Sequence, residues 1–259
     1  MYKDVKVTIL GCGSSAGVPL VTGNWGACNP QNPKNYRTRC SAAVFIEGET
    51  WLLDVSPDVR GQLLRENITE VHGVLCTHAH FDHVGGIPEL KPLAIEAGGF
   101  LPLYSDEDTL KILYKYYPYA FFTLEKESVE GYNPFIKAYT LDDNFCIGST
   151  PVKFFSQNHR YSRTLGFRFP QWAYSTDIWA LDENAESFLH NLEVWFVDCL
   201  RIKPAETHSH LEQTLSWIEK LKPKRAVLIH MSQHLDYDML CDMLPPHVIP
   251  AFDGMSVFI

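Results

Sequence analysis

Cys76-Thr77-His78-Ala79-His80-Phe81-Asp82-His83, followed at once by Val84-Gly85-Gly86, decides the reading of this chain. Four potential metal ligands fall within six residues, directly after the apolar run Gly73-Val74-Leu75-Cys76. That run predicts a short buried strand, with the ligands on the loop leaving its C-terminal end. Histidines at i and i+2 of an extended segment point the same way, so His78 and His80 can share one ion. Asp82 and His83 then turn toward a second ion as the chain bends into a helix. Imidazole and carboxylate suit zinc, manganese or iron. A polar loop with coincidental histidines is the competing reading, and it leaves the agreement of ligand type, spacing and glycine context unexplained.

Composition sets the frame. A chain of 259 residues has room for an ample core, and 46% hydrophobic with 20% charged residues is the balance of a soluble globular protein. A formal net charge of −9 argues against a general nucleic-acid groove, which needs a basic stripe. No apolar run approaches the length of a membrane span. Met1-Tyr2-Lys3-Asp4 leads straight toward a strand, so no signal peptide is expected. Seven cysteines without regular spacing fit free thiols in a reducing compartment, and the expected location is the cytoplasm. With no repeat, low-complexity tract or linker, residues 1–259 are expected to form one domain.

Outward from the motif, strand after strand delivers a chemical residue at its exit. Val5 to Leu10 alternates apolar and polar residues and ends in Gly11-Cys12-Gly13-Ser14-Ser15-Ala16-Gly17-Val18-Pro19. The amides of that turn could cup an anion, which makes Ser14 and Ser15 candidate substrate contacts, or the turn could be a tight connection where side chains do not fit. Residues 20–41 are irregular and locally basic through Lys34, Arg37 and Arg39, either an anion-facing flap or a solvated loop, with Cys28 and Cys40 read as free thiols. Trp51-Leu52-Leu53-Asp54 ends in an acid able to orient a ligand histidine through its second ring nitrogen. Farther on, a strand from Val152 to Phe155 leads to His159. A hairpin ends at Asp177, and Ala226 to Ile229 leads to His230. Arg160 and Arg163, just past His159, are candidates to grip a phosphate. The aromatic run Tyr116 to Phe122 could pack, line a substrate or meet another subunit.

The set His78, His80, Asp82, His83, His159, Asp177 and His230 resembles that of the metallo-β-lactamase superfamily, whose His-x-His-x-Asp-His motif residues 78–83 match. The resemblance implies an α+β fold, a four-layer αββα sandwich. It also implies one ion on His78, His80 and His159 and another on Asp82, His83 and His230, with Asp177 bridging. The cofactors implied are two divalent metal ions, zinc or manganese. Leu10 to Pro19, Gly166-Phe167-Arg168-Phe169, Asp198-Cys199-Leu200-Arg201 and His230-Met231-Ser232 look like the PhnP-type phosphodiesterases. Those enzymes open cyclic phosphates on ribose, and His208 matches the position of their general acid. His208 and Asp82 are accordingly the expected catalytic residues. That family also carries a structural zinc held by a close cysteine cluster and a late histidine; here the loop has only Cys28 and Cys40, and the late position is Gln233.

The expected function is a dinuclear metal phosphodiesterase acting on phosphoribosyl 1,2-cyclic phosphate or a 2′,3′-cyclic nucleotide. A shared hydroxide would attack phosphorus while His208 protonates the departing oxygen. The alternatives are a hydrolase like the tRNA 3′-processing endonucleases, or a non-catalytic metal- or nucleotide-binding module. The expected partner is a small phosphodiester substrate, with neither a membrane nor a stable nucleic-acid partner; a homodimer stays open.

Overall fold

The computed structural model describes residues 5–122 and 133–259, so the opening Met1–Asp4 stretch lies outside the described residues. Seven strands form the first sheet, in the order Ser256–Phe258, Lys6–Gly11, Ser41–Ile46, Glu49–Leu53, Gly73–Leu75, Leu101–Ser105 and Ile136–Thr140. Six form the second, in the order Val248–Pro250, Arg225–Ile229, Val194–Asp198, Trp172–Ser175, Ser162–Arg168 and Lys153–His159. Each sheet is mixed. Antiparallel pairs, among them the hairpin of Ser41–Ile46 with Glu49–Leu53 and the pairing of Lys6–Gly11 with the C-terminal Ser256–Phe258, supply one part, and parallel pairs such as Leu53 with Leu75 and Val197 with Leu228 supply the rest.

Residue alternation explains the layering. Val7, Ile9, Val44, Leu53 and Leu75 join Phe167, Tyr174, Phe196 and Leu228 in a core between the sheets. Their strand neighbours Leu10, Ala43, Leu52 and Val74 face the other way, onto Leu63, Ile87 and Leu110 from the outer helical segments. On the far side, Leu211, Trp217, Ile218 and Leu221 of the helix Leu211–Leu221 cover the second sheet. Strands buried on both faces lose the polar half of their pattern, which is why they read as continuous apolar runs. The result is the αββα sandwich. Among the described residues, no helix is long and apolar enough to cross a membrane.

Several local expectations are corrected. The strand placed at Val152 to Phe155 runs on to His159, because Ser162–Arg168 pairs with its full length as a hairpin. After the metal-ligand motif the chain makes a 3₁₀ turn, Ile87–Leu90, that leads into the short helix Lys91–Glu96. The 20–41 loop is solvated over much of its length, residues 21–24 and 29–31 being exposed, but its basic side chains are engaged rather than free. Arg37 is 1% exposed, donating from Nη1 to Ser232 O at 3.2 Å and from Nη2 to Asn35 Oδ1 at 3.3 Å. Arg39 pairs with Asp58 at 2.9 Å, and the Lys34 ammonium lies over the Tyr237 ring. Cys28 is free and buried, its thiol donating to Gln233 O and Leu235 O. A buried guanidinium and a thiol thus clamp this loop onto the segment that follows His230. The aromatic run divides: Phe121 is buried, while Tyr116 and Phe122 stay exposed.

Candidate active site

The site lies where the parallel strands of both sheets end. Asp54 follows Leu53 and His78 comes soon after Leu75, while Asp177, Asp198 and His230 stand at the exits of the second sheet. Asp54, Asp177 and His230 all adopt left-handed backbone, with φ of 62°, 54° and 57°. Non-glycine residues take that conformation at a cost of about 1–3 kcal/mol, and it persists where the surroundings over-determine it. Here the surroundings are hydrogen bonds: Gln157 Nε2 donates to Thr176 O at 3.1 Å, and Thr164 Oγ1 to Asp177 O at 3.2 Å.

Two groups of donors converge. His78, His80, His159 and Asp177 form one, and Asp82, His83, Asp177 and His230 the other, with the donor atoms of each within 4.8 Å of one another. Asp177 divides its oxygens between them. Its Oδ2 lies 3.7 Å from both His78 Nε2 and His159 Nε2. Its Oδ1 lies 3.1 Å from His83 Nε2 and 3.4 Å from His230 Nε2. Asp82 Oδ2 completes the second group at 3.2 Å from His83 Nε2 and 3.4 Å from His230 Nε2.

These residues fit a pair of divalent ions. Metal bonds of about 2.0–2.1 Å in a tetrahedron set neighbouring donors roughly 3.3 Å apart, close to the spacings found. His83 Nε2 is buried without a hydrogen bond although two carboxylates face it. The tautomers agree as well. Asp54 Oδ2 meets His83 Nδ1 at 2.6 Å and accepts from the Thr77 hydroxyl at 2.8 Å. With its one proton on Asp54, that hydroxyl is left to accept from His78 Nδ1, 2.9 Å away. One buried acid therefore places the ring protons of two histidines on Nδ1 and leaves both Nε2 lone pairs facing the cluster.

The charges balance within the cluster. Burial alone would raise the Asp177 carboxyl, but His230, His83 and His208 hold it well below the usual range. Asp82 is likewise kept low, by His83 and His230 against burial. Burial would lower His83 and His230, yet the surrounding acids, Asp177 foremost, hold both well above the ordinary imidazole value. His78 and His159 are pushed down, chiefly by burial.

His208 stands against this cluster. Its Nε2 lies 3.8 Å from Asp177 Oδ2, and its ring stacks on that of His230 with centroids 4.8 Å apart. Behind it is Asp198, which the sequence reading did not single out as a site residue. Asp198 Oδ2 lies 3.5 Å from His208 Nδ1, and Oδ1 lies 3.4 Å from His230 Nδ1. Ser209 N and Ser209 Oγ each donate to Asp198 Oδ2 at 3.2 Å, fixing the carboxylate. The available signal was the one used for Asp54, an acid ending an apolar strand.

The beta-lactamase superfamily domain matches residues 50–231, a span that holds every residue of the two donor groups. The chain belongs to that superfamily. Within its metallo-β-lactamase members the branch is PhnP-like: a diphosphatase from the PhnP family is 29% identical with a TM-score of 0.91, over 100% of this chain and 98% of that one. An octanoyltransferase from Porphyromonas gingivalis is 29% identical over 98% of this chain and 52% of its own length. A ribonuclease Z from Halalkalibacterium halodurans is 30% identical over 36% of this chain and 27% of that protein. The chain thus spans about half or less of the length of these curated relatives.

The remaining candidates are placed unevenly. Ser14 is buried, and its amide donates to Met231 O, next to His230. Gly13 N donates to Thr38 O and Gly17 N to Ser14 O, so these amides of the supposed anion cup are already engaged. Close approach explains the small residues there, since a Cβ on Gly11 would meet Arg39 O at 2.1 Å. Ser15 is exposed. Arg160 sits at the hairpin tip, stacked over Trp179, two residues past Asp177. Arg163 pairs with Asn158 and donates to Ser156 Oγ at 3.0 Å, on the opposite face of the hairpin from His159.

Proposed function

We propose that this chain is a dinuclear metal-dependent phosphodiesterase that opens a small ribose or nucleotide cyclic phosphate, with His208 as general acid. That it is a metal-dependent hydrolase follows from its family. One observation carries the finer reading: Asp177 turns one oxygen to each donor group while His208 Nε2 stands 3.8 Å from that carboxylate.

His78, His80, His159 and Asp177 would hold one ion, and Asp82, His83, His230 and Asp177 the other. Two such ions supply Lewis-acid charge to phosphoryl oxygens and lower the pKa of a water between them. The chain's own residues do the rest. Asp54 fixes the His83 ring directly and the His78 ring through Thr77. Asp198 faces His208 Nδ1 and so directs Nε2 toward the cluster, from where it gives its proton to the departing ribose oxygen. The buried walls exclude water and strengthen each of these charge contacts.

The test is a screen of the metal-reconstituted protein over cyclic phosphates, linear phosphodiesters and thioesters, read as phosphate regiochemistry. Ring opening of a 2′,3′-cyclic nucleotide to one monoester is expected. Turnover confined to thioesters would overturn the reading, and the octanoyltransferase relative makes that arm necessary. A ribonuclease Z-like reading draws on the similarity to that family over 96 residues, but a net charge of −9 disfavours a tRNA-binding surface. Precursor-tRNA cleavage exceeding cyclic-nucleotide turnover would favour it.

A further inference from the structure

Thr176 is wholly buried at the exit of the strand Trp172–Ser175, directly before the acid shared by the two donor groups. Its hydroxyl has one proton to give and two neighbours placed to take it. Asp177 Oδ1 lies 2.7 Å away and Cys40 Sγ 3.9 Å away. A carboxylate is the stronger acceptor, so the proton goes to Oδ1. Cys40 closes the other side together with Tyr174, whose hydroxyl lies 3.3 Å from the Cys40 sulfur, and both are buried. The Thr176 hydroxyl is thereby held to the carboxylate with no solvent to turn to.

The bond falls on one oxygen of Asp177. Oδ1 is the oxygen 3.1 Å from His83 Nε2 and 3.4 Å from His230 Nε2, whereas Oδ2 faces His78 Nε2 and His159 Nε2, each 3.7 Å away. The backbone of this corner is fixed separately, by Gln157 Nε2 on Thr176 O and Thr164 Oγ1 on Asp177 O. Rotation of the carboxylate about its own side-chain bonds is the freedom that remains. A carboxylate between two cations can share its oxygens or turn both toward one of them. The two donor groups pull unequally. An ion on His78, His80 and His159 keeps its full double charge among imidazoles, whereas Asp82 already offsets half of that charge in the other group. Unrestrained, Asp177 is drawn toward the first group and away from Asp82. The Thr176 hydroxyl opposes that turn by keeping Oδ1 on the side of Asp82, His83 and His230.

We propose that Thr176 is a positioning residue that keeps the two oxygens of Asp177 divided between two ions, a role that rests on reading the two donor groups as a pair of ion sites. Its effect is one-sided. The ion on Asp82, His83 and His230 depends on Oδ1 and therefore on the Thr176 hydroxyl. The ion on His78, His80 and His159 keeps its carboxylate when that hydroxyl is removed.

The experiment follows chelator removal of cadmium from the loaded protein by cadmium NMR, ion by ion. The two resonances are assigned by their separate loss in His80→Ala and in Asp82→Ala. Thr176→Val keeps the shape of threonine without its hydroxyl, and Thr176→Ser keeps the hydroxyl without the methyl. Thr176→Val is expected to weaken the ion of the Asp82 group roughly 10–100-fold and leave the other in place, while Thr176→Ser holds both within about threefold. Should Thr176→Val not fold, Thr176→Ala removes the same hydroxyl and carries the same expectation. Equal weakening of both ions, an equal loss in Thr176→Ser, or affinities unmoved by removal of the hydroxyl would each overturn the proposal alone. A wild type that shows one resonance at saturation fails the ion-pair reading itself, and the proposal with it.

Discussion

The Nδ1 atom of His208 lies 3.5 Å from Asp198 Oδ2, so the ring is backed by a buried carboxylate while Nε2 faces the donor cluster. The relationship separates proton donation from metal binding. His208→Ala should keep its metal and lose roughly 10²–10⁴ in kcat on substrates with alkoxide leaving groups. The loss should shrink for a p-nitrophenyl leaving group, which needs no proton. A rate loss independent of leaving-group pKa would remove His208 from the acid role. Asp198→Asn should give a smaller loss with the same leaving-group dependence, because it disturbs ring orientation and leaves the proton donor in place.

Asp54 should matter for metal rather than for turnover at saturating metal. Its Oδ2 meets His83 Nδ1 at 2.6 Å and, through Thr77, fixes His78. Asp54→Asn should weaken metal affinity about 10–100-fold, measured by competition with a chelator. Unchanged affinity would show that the ring tautomers are set elsewhere.

The cluster also makes stability depend on pH in a particular sense. In the metal-free protein, Asp82 and Asp177 are held below their unfolded values. Their contribution is present above about pH 4 and is lost as pH falls through the folded values. His83 and His230 are held above theirs, so their contribution is complete below about pH 6.5 and is lost as pH rises through the folded values. His78 and His159 are held below theirs, so their contribution is complete above about pH 6.5 and is lost as pH falls, and the Tm of chelator-treated protein should therefore peak at about pH 6.5 and decline on both sides. Metal loading requires the His83 and His230 imidazoles to shed protons, so calorimetry in buffers of different ionisation enthalpy should show net proton release near pH 7. Proton uptake would contradict this.

Gly11 tests the packing beneath the site. A Cβ there would meet Arg39 O at 2.1 Å and Gln62 Nε2 at 2.4 Å. Gly11→Ala should cost about 1–3 kcal/mol by denaturant unfolding, since the backbone oxygen cannot swing aside. An unchanged midpoint would mean that the strand exit is softer than its contacts imply.

Legibility in the sequence followed distance along the chain. His78 to His83 could be read because the ligands are contiguous, and Asp54, Asp177 and His230 because each follows an apolar strand. Arg163 could not be placed without the hairpin register: Ser162 opposes His159, which turns Arg163 to the other face. Arg37 was illegible for a different reason. Its burial depends on Ser232 O, nearly two hundred positions away, and no local pattern announces a guanidinium that serves as a clamp. Asp198 carried a readable signal, but its two histidine partners arrive from separate segments.

Whether Asp177 joins two ions is read out by titrating metal-free protein with manganese under electron paramagnetic resonance. Two ions per chain with an exchange-coupled spectrum are expected, and Asp177→Ala should abolish that coupling. A single uncoupled ion at saturation in the wild type would contradict it.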